Sequence, residues 1–226
     1  MTAEVRPVRL EGVRWLALTG LAFVAFFVLA IVLYGSGAGS EPSQIVAYYA
    51  STANRMRQVG GFASLLVGCV LLSAYVGVLT RQVVGDKSLA MVAIASGVGS
   101  ALLLAVGNGL WAASAFTVEL ESGYRTNPQA HLLVEDAAFV VVVSAMAIAI
   151  PFVAVISLAA SASRQFPGWF SVLGFIAIVG LAAAYWYFPL FAFLVWIASG
   201  SLLLSRRPVA SATDRDEMPS GSTVGR

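Results

Sequence analysis

The sequence predicts an all-α protein, a polytopic transmembrane helical bundle with about six spans and both termini in the cytoplasm. Hydrophobic residues make up 59% of the 226 residues, charged residues 11%, and the mean hydropathy is +0.88. Soluble domains are only about half apolar and about a quarter charged. In addition, the apolar residues form continuous runs of about 20, the length of a helix that crosses a bilayer. The runs lack the alternation of barrel strands, so helices are the expected way to pair the backbone in lipid.

The predicted spans are residues 15–34, 62–80, 89–116, 137–162, 169–188 and 189–205. The first run is too long for the apolar region of a signal peptide, and we interpret it as a retained helix. The last two runs meet at an aromatic cluster made of Tyr185, Trp186, Tyr187, Phe188 and Pro189. We interpret this cluster as a tight turn at an interfacial aromatic belt, since one helix over both runs would be longer than the bilayer is thick.

Three segments outside the spans have distinct predictions. Residues 1–14 form a cytoplasmic tail, and residues 206–226 are too poor in apolar residues to bury a core, which predicts a disordered cytoplasmic tail. An extracytoplasmic helix is expected near 42–58, capped by Ser40 and beginning near Pro42, and running into the second span. Asn127 followed by Pro128 predicts that the fourth membrane helix begins before the lipid does.

Orientation follows from the basic residues that flank the spans, because loops rich in lysine and arginine stay in the cytoplasm. On one side the sequence places Arg6, Arg9, Arg14, Arg81, Lys87, Arg164, Arg206 and Arg207. The opposite side carries Arg55, Arg57 and Arg125 together with Glu41, Glu119, Glu121, Glu135 and Asp136. The first side is therefore predicted to be cytoplasmic, and the second becomes an outer rim of mixed charge.

Small residues at four-residue spacing allow helices in lipid to approach closely. The third span carries such a stripe at Ala93, Gly97, Ala101, Ala105, Gly109 and Ala113, and the second span carries Gly60, Ser64 and Gly68. Both stripes are predicted to pack against neighbouring helices. Pro151 lies mid-span in the fourth helix, where the missing N–H predicts a kink that serves either packing or a gate.

The outer ends of the helices hold the candidate ligand-binding residues. These are Arg55, Arg57, Asn108, Trp111, Glu135 and Asp136, which on one hypothesis line an outward-facing cavity. On the alternative hypothesis the charged residues form an ion-paired rim, with salt bridges between Arg55 or Arg57 and Glu135 or Asp136, and Asn108 makes an interhelical hydrogen bond. Asn108 is the deepest strongly polar side chain of the predicted spans.

Several functional classes are not supported by the sequence. No cofactor or metal is expected, since one histidine, His131, and one cysteine, Cys69, cannot build a zinc or haem site. The net charge of +2 comes from scattered loop residues, so no nucleic-acid partner is expected. No nucleophile motif occurs, and the serines of the spans, such as Ser64, Ser73, Ser96, Ser100 and Ser144, have no histidine or lysine near them in sequence. The spans also lack the ionisable residues of a proton-coupled transporter.

Three segments carry a family resemblance: IVAYYASTAN from Ile45 to Asn54, FPGWF from Phe166 to Phe170, and WIASGSLLLSRR from Trp196 to Arg207. Together with the order of spans, they make the chain resemble an uncharacterised family of small six-helix actinobacterial inner-membrane proteins of unknown function. The resemblance implies a multi-pass protein of the bacterial inner (plasma) membrane. It supplies no functional residue.

The leading functional hypothesis is a non-enzymatic membrane protein that acts as a scaffold or accessory subunit for a protein or lipid partner. Its partners would be membrane lipids and either another membrane protein or a second copy of the chain. The alternative is a transporter or binding protein for a small molecule or lipid, with an outward-facing polar cavity. A membrane-embedded enzyme would need outer carboxylates that converge on one point. A cavity that leads from the outer rim to Asn108 would favour the transporter or binding protein, and a filled bundle would favour the scaffold.

Overall fold

The structure, a computed structural model, describes residues 15–35, 37–121, 123–163, 166–183 and 190–206. Within these ranges the protein contains helices and no strands, which confirms the predicted all-α class. The described helices are α1 (Thr19–Tyr34), α2 (Pro42–Ala50), α3 (Thr52–Val83), α4 (Lys87–Leu120), α5 (Pro128–Ser163), α6 (Gly168–Ala182) and α7 (Leu190–Ser205).

Four helices are long and apolar enough to cross a membrane: Trp15–Tyr34, which includes α1, and then α3, α4 and α5. The two remaining apolar helices, α6 and α7, have 15 and 16 residues and are shorter than a usual span. The predicted turn at Tyr185, Trp186, Tyr187, Phe188 and Pro189 lies outside the described residues, as do the predicted tail at 1–14 and all of the predicted tail at 206–226 except Arg206. The same is true of Arg6, Arg9, Arg14, Arg164 and Arg207, on which part of the orientation argument rests.

The six longer helices form a closed ring in which each packs on the next. Along the chain α1 contacts α3, α3 contacts α4, α4 contacts α5, α5 contacts α6 and α6 contacts α7, and α7 returns to α1. The interior is filled by aromatic side chains: the ring of Trp196 stacks on Phe170 at 5.5 Å and meets Phe152 edge-on at 5.6 Å. Tyr75 of α3 crosses the bundle and donates a hydrogen bond to the Ile197 carbonyl of α7, at 3.2 Å.

A serine of α7 interrupts the backbone ladder at the start of the first apolar helix. The Ser201 hydroxyl donates to the Ala17 carbonyl and accepts from the Leu21 N–H at 3.0 Å, so it stands between two groups that would pair in a regular helix. The insertion of a side chain into the i to i−4 ladder is a recognised cause of a local irregularity. It explains why the chain is helical at 15–17 and turns at Leu18 before α1 begins.

The small residues of α3 pack against α1. Ser64 donates to the Phe26 carbonyl at 2.8 Å, and a Cβ added at Gly68 would lie 3.4 Å from the Cβ of Phe26. A Cβ at Gly60 would lie 3.5 Å from Leu33. These three positions therefore face one neighbouring helix along its length.

The longer stripe of α4 does not follow a single face. Ala93, Gly97 and Ala101 are buried, whereas Ala105, Gly109 and Ala113 are only half-buried. A step of four residues turns by about 400° in a helix of 3.6 residues per turn, so the stripe drifts by about 40° per step around the axis. At the far end the close approach to α5 is made instead by Gly107, where a Cβ would lie 3.1 Å from the Ala138 carbonyl oxygen.

Helix boundaries near α2 and α5 differ partly from the predictions. Ser51, with φ −81° and ψ 116°, separates α2 from α3, so the expected continuous helix over 42–58 is divided in two, and Glu41 rather than Ser40 occupies the N-cap. At α5 the Asn127 side chain accepts from the Gln129 N–H at 3.0 Å, as expected for a cap before Pro128. Helix α5 continues through Pro151, whose ring is exposed.

Candidate functional site

The candidate site lies at the end of the bundle that carries α2, which we call the α2 end. Three neighbouring cavities meet there, and Tyr34 of α1 and Trp111 of α4 line all of them. The first, the polar pocket, has a volume of about 450 Å³ and is lined by Tyr34, Gly35, Gly37, Ala38, Tyr49, Gln58, Trp111, His131 and Glu135.

The other two cavities are apolar. The inner cavity, of about 110 Å³, is lined by Phe27, Ala30, Ile31, Tyr34, Leu65, Leu104, Asn108, Trp111, Phe139, Val142, Val143, Met146 and Leu190. The side groove, of about 310 Å³, is lined by Phe27, Ile31, Tyr34, Gly35, Trp111, Leu190, Phe191 and Leu194. The exposed side chains of Ile31 and Phe191 place the mouth of the side groove on the outer surface of the bundle, between α1 and α7.

Helix α2 forms one wall of the polar pocket because a small apolar cluster fixes it to the bundle. Ile45 and Tyr49 of α2 are buried against Ala115 of α4, with further apolar contacts from α3 and α5. The loop between α1 and α2 contributes Gly35 and Gly37 to the pocket, with φ of 60° and 72°. This left-handed conformation suits glycine and brings the backbone to the pocket without side chains.

A row of hydrogen-bonding groups runs through the wall of the polar pocket. Ser114 Oγ lies 2.9 Å from His131 Nδ1, and His131 Nε2 lies 3.7 Å from Glu135 Oε2, one helical turn further along α5. Tyr49 meets the imidazole edge-on, with 5.1 Å between the ring centres. Burial raises the pKa of the Tyr49 hydroxyl, Tyr48 and Glu135 raise it further, and a hydrogen bond to Ser114 opposes them.

His131 lies in the first turn of α5, before the apolar stretch that follows Asp136. Burial lowers the pKa of its imidazole, and the nearby Glu135 carboxylate opposes that effect without reversing it. His131 is therefore neutral at pH 7, with one ring nitrogen protonated. In the contact with Ser114, Nδ1 donates in one neutral tautomer and accepts in the other, and Nε2 takes the opposite role. The 3.7 Å separation of Nε2 from Glu135 Oε2 is too long for a hydrogen bond, so Glu135 does not pair with Nε2 at the wall of the pocket.

Gln58 of α3 brings an unpaired acceptor to the same pocket. Its side chain is 6% exposed, and its Oε1 has no hydrogen-bond partner among the described residues. The Gln58 amide nitrogen donates a hydrogen bond to the Tyr48 hydroxyl at 3.4 Å. Buried side-chain oxygens are nearly always paired in folded proteins. Gln58 Oε1 is therefore an unpaired acceptor, among the described residues, at the wall of the polar pocket.

Beneath the polar pocket, Asn108 ties three helices together. Its Oδ1 accepts from the Tyr34 hydroxyl of α1, and its Nδ2 donates to the Phe62 carbonyl of α3 at 3.4 Å. Asn108 is fully buried and lines the inner cavity. Tyr34 also packs on Trp111, with 6.4 Å between the ring centres. These two aromatic rings form the boundary between the polar pocket and the apolar cavities.

The six residues predicted to line the cavity separate into three groups. Trp111 and Glu135 line the polar pocket and Asn108 lines the inner cavity. Arg57 and Asp136 are exposed and lie outside the lining of the three cavities. Arg55 lines a separate cleft.

The ion pairs at the α2 end differ from the expected ones between α3 and α5. Arg55 Nε donates to Glu119 Oε1 of α4 at 2.5 Å, and its Nη1 donates to the Tyr49 carbonyl at 2.7 Å. Glu135 lies instead beside His131 of its own helix. Arg55 therefore connects α3 to α4 and α2. It does not pair with Glu135, which lines the polar pocket.

Sequence reasoning missed Gln58, Tyr49, Ser114 and His131 as parts of the site. His131 was considered only as a metal ligand, and Ser114 was not among the serines examined for a neighbouring base. One signal was present in the sequence: His131 and Glu135 stand four residues apart and share a helix face. The approach of Gln58 and Ser114 to that face depends on the packing of α3 and α4.

Ser114, His131 and Glu135 do not form a continuous hydrogen-bonded relay in this arrangement. A nucleophilic serine needs a base that a third group orients within hydrogen-bond reach, and Glu135 is 3.7 Å from His131. Ser114 is moreover engaged by Tyr49. Among the described residues, no group of three or more histidine, cysteine, aspartate or glutamate side chains is placed to hold a metal ion.

Comparison with known proteins gives no family: no protein-family model, no curated protein and no solved structure matches this chain.

Proposed function

We propose that this chain is an integral membrane protein that binds an amphiphile at its α2 end, without catalysing a reaction. The polar pocket would take the head group, and the side groove and inner cavity would take part of the apolar chain. Binding would serve one of two roles. Either the chain transports the amphiphile, or it presents the amphiphile to a protein partner and acts as an accessory subunit. Membrane lipids, the expected partners of such a chain, are the natural source of the ligand.

The observation that carries the proposal is the meeting of a polar pocket and apolar cavities at Tyr34 and Trp111. Ligand sites are typically concave and mostly apolar, with a few polar groups that fix orientation. Here Gln58, His131 and Glu135 occupy one side of the two aromatic rings and only apolar side chains occupy the side groove. A molecule with one polar and one apolar end matches this division.

We place the α2 end on the outer side of a bacterial inner membrane, with both termini in the cytoplasm. Arg81 in the last turn of α3, Lys87 at the first position of α4 and Arg206 after α7 are at the opposite end of the bundle from α2, where the positive-inside rule expects the cytoplasm. The six apolar helices would then all cross the bilayer, with α6 and α7 as the shortest. The ligand would enter from the outer leaflet through the side groove.

The test compares two tryptophan substitutions at adjacent positions of α1. Ile31 lines the side groove and the inner cavity, whereas the neighbouring Val32 is 61% exposed and lines neither. Ile31→Trp should fill the groove, and Val32→Trp is the matched control for surface, size and expression. Each protein is extracted gently from its own membrane and analysed by native mass spectrometry for bound small molecules.

The expected result is an amphiphile retained by the wild type and by Val32→Trp and lost from Ile31→Trp. Equal retention by Ile31→Trp and Val32→Trp would refute a ligand in the groove. Wild-type protein that carries no small molecule but holds a second polypeptide would instead favour the scaffold hypothesis. A tag at either terminus that is labelled by an impermeant reagent in intact cells would overturn the orientation.

A further inference from the structure

The polar pocket presents hydrogen-bonding atoms from two well-buried side chains. Gln58 Oε1 is a buried acceptor with no partner among the described residues, and His131 Nε2, a donor or an acceptor according to the tautomer, lies 3.7 Å from Glu135 Oε2. Both side chains are 6% exposed. Buried polar groups are costly unless they are paired. Because a hydroxyl both donates and accepts, a ligand with two hydroxyls would satisfy both atoms together.

The charges of the pocket disfavour an anionic head group. Glu135 is the charged residue of the lining, and its carboxylate, on a side chain that is 45% exposed, would add a weak repulsion toward a phosphate or a carboxylate. Arg57 also lies near the rim, where its Nη2 would lie 3.8 Å from a Cβ at Gly35. Arg57 is exposed to solvent, where a single charge contributes little to binding. The buried groups, which are uncharged, decide the selectivity.

The pocket is also larger than a single hydroxyl needs. Its volume of about 450 Å³ falls within the range of roughly 300–1,000 Å³ that is typical of small-molecule sites. Tyr34 and Trp111 line the pocket on the side where it adjoins the apolar cavities. A compact head group with several hydroxyls would fill this space and use both buried atoms.

We infer that the polar pocket binds the uncharged polyol head group of an amphiphile, either a glycerol or a sugar. One hydroxyl donates to Gln58 Oε1, and another pairs with His131 Nε2, as donor or acceptor according to the tautomer. This inference rests on the proposed function, which requires only that some amphiphile occupies the groove. It adds that the head group is neutral and carries hydroxyls.

The experiment uses amphiphiles that share one acyl chain and differ only in the head. Monoacylglycerol and lysophosphatidate are compared as probes for the full-length protein in phosphatidylcholine nanodiscs, whose lipid has no polyol head. An alkyl glucoside of matched chain length is the third probe. We expect wild type to bind monoacylglycerol at least about tenfold more tightly than lysophosphatidate. One well-placed hydrogen bond to the glycerol, together with the absence of repulsion between a phosphate and Glu135, accounts for a difference of that size. Binding of the glucoside that is tighter than that of monoacylglycerol identifies a sugar-headed source, and weaker binding identifies a glyceride. Equal binding supports the polyol head group that the two probes share.

Gln58→Met keeps the length of the side chain and removes the acceptor, so it should lower monoacylglycerol affinity about five- to tenfold and leave lysophosphatidate binding unchanged. Tyr48→Phe is the control, since it removes the partner of the Gln58 amide nitrogen and keeps Oε1. Thermal unfolding of each variant checks that the bundle is intact, and the wild-type probe ratio decides the inference even if Gln58→Met fails to fold.

The outcomes separate the two proposals. Equal or tighter binding of lysophosphatidate by wild type, abolished by Ile31→Trp but not by Val32→Trp, overturns the polyol head group and leaves the amphiphile site standing. An unchanged probe ratio in a folded Gln58→Met also overturns the inference. Absence of binding for all three probes overturns the polyol head group, and the native mass spectrometry of wild type, Ile31→Trp and Val32→Trp then decides the amphiphile site separately.

Discussion

Two glycines that stand two residues apart in α4 offer a sharp test of how that helix packs. A Cβ added at Gly107 would lie 2.7 Å from Val142 Cγ2 and 3.1 Å from the Ala138 carbonyl oxygen of α5. A Cβ added at Gly109 would lie 3.4 Å from Phe62 Cε2, an ordinary contact at the edge of a ring. Gly107→Ala therefore meets a fixed backbone atom, whereas Gly109→Ala fits.

The magnitudes follow from two opposed effects. Alanine in place of glycine stabilises a helix interior by roughly 0.5–1 kcal/mol, and this gain is common to both variants. Overpacking at Gly107 costs about 1–3 kcal/mol, because the carbonyl of Ala138 cannot rotate away as a side chain can. The free energies of unfolding should thus differ by about 1–3 kcal/mol, with Gly107→Ala the less stable. For a chain of this size that difference corresponds to roughly 2–12 °C in Tm.

The assay is reversible unfolding of detergent-solubilised protein, followed by circular dichroism during a denaturant titration and by a thermal scan. Gly109→Ala serves as the matched control, since both variants lie in the same helix and add the same methyl group. Equal stability of the two variants, or a less stable Gly109→Ala, would refute the close approach of α4 to α5 at Gly107.

Two further predictions concern the polar groups at the α2 end. Tyr34→Phe should lower the free energy of unfolding by about 1–3 kcal/mol, because it leaves Asn108 Oδ1 buried without a donor. Tyr124→Phe is the control: its side chain is 39% exposed, and the substitution should change the free energy of unfolding by less than about 0.5 kcal/mol. Equal effects of the two substitutions in denaturant titrations would contradict the buried hydrogen bond between Tyr34 and Asn108. The pKa of His131 is lower in the folded protein than the usual value of about 6.5, so the unfolded chain takes up the proton first and stability falls as the pH is lowered below about 6.5. His131→Gln should flatten the Tm profile between about pH 7 and pH 5, and an unchanged slope would show that burial among Tyr49, Ser114 and Glu135 does not govern this histidine.

Much of the fold could be predicted from the sequence because composition and run length are local properties. Helices long enough to cross a membrane were expected at 15–34, 62–80, 89–116 and 137–162, and the structure has a long apolar helix over each of these ranges. The extra turns of α5 at the α2 end could be predicted from the sequence, since Asn127 followed by Pro128 is typical of a helix start. The break at Ser51 was not visible, because no glycine or proline marks it.

The candidate site was predicted only in part. Asn108 and Trp111 stood out because strongly polar and interfacial aromatic residues are rare within apolar runs. Gln58 lay in a polar stretch where a glutamine is unremarkable, and Ser114 was one small polar residue among many in a membrane helix. Both gain meaning only from their neighbours.

By itself, the sequence determined that this protein is a bundle of apolar helices with its mixed charges gathered near α2, because hydrophobicity and the spacing of residues are written along the chain. Only the tertiary structure decided which polar groups are paired. In the structure Arg55 pairs with Glu119, Asn108 pairs with Tyr34, and Gln58 Oε1, in the wall of a pocket, has no partner among the residues that the structure describes. The physical reason is that hydrogen bonds act over about 3 Å, and contacts at that distance depend on how four helices from distant parts of the chain are set against one another.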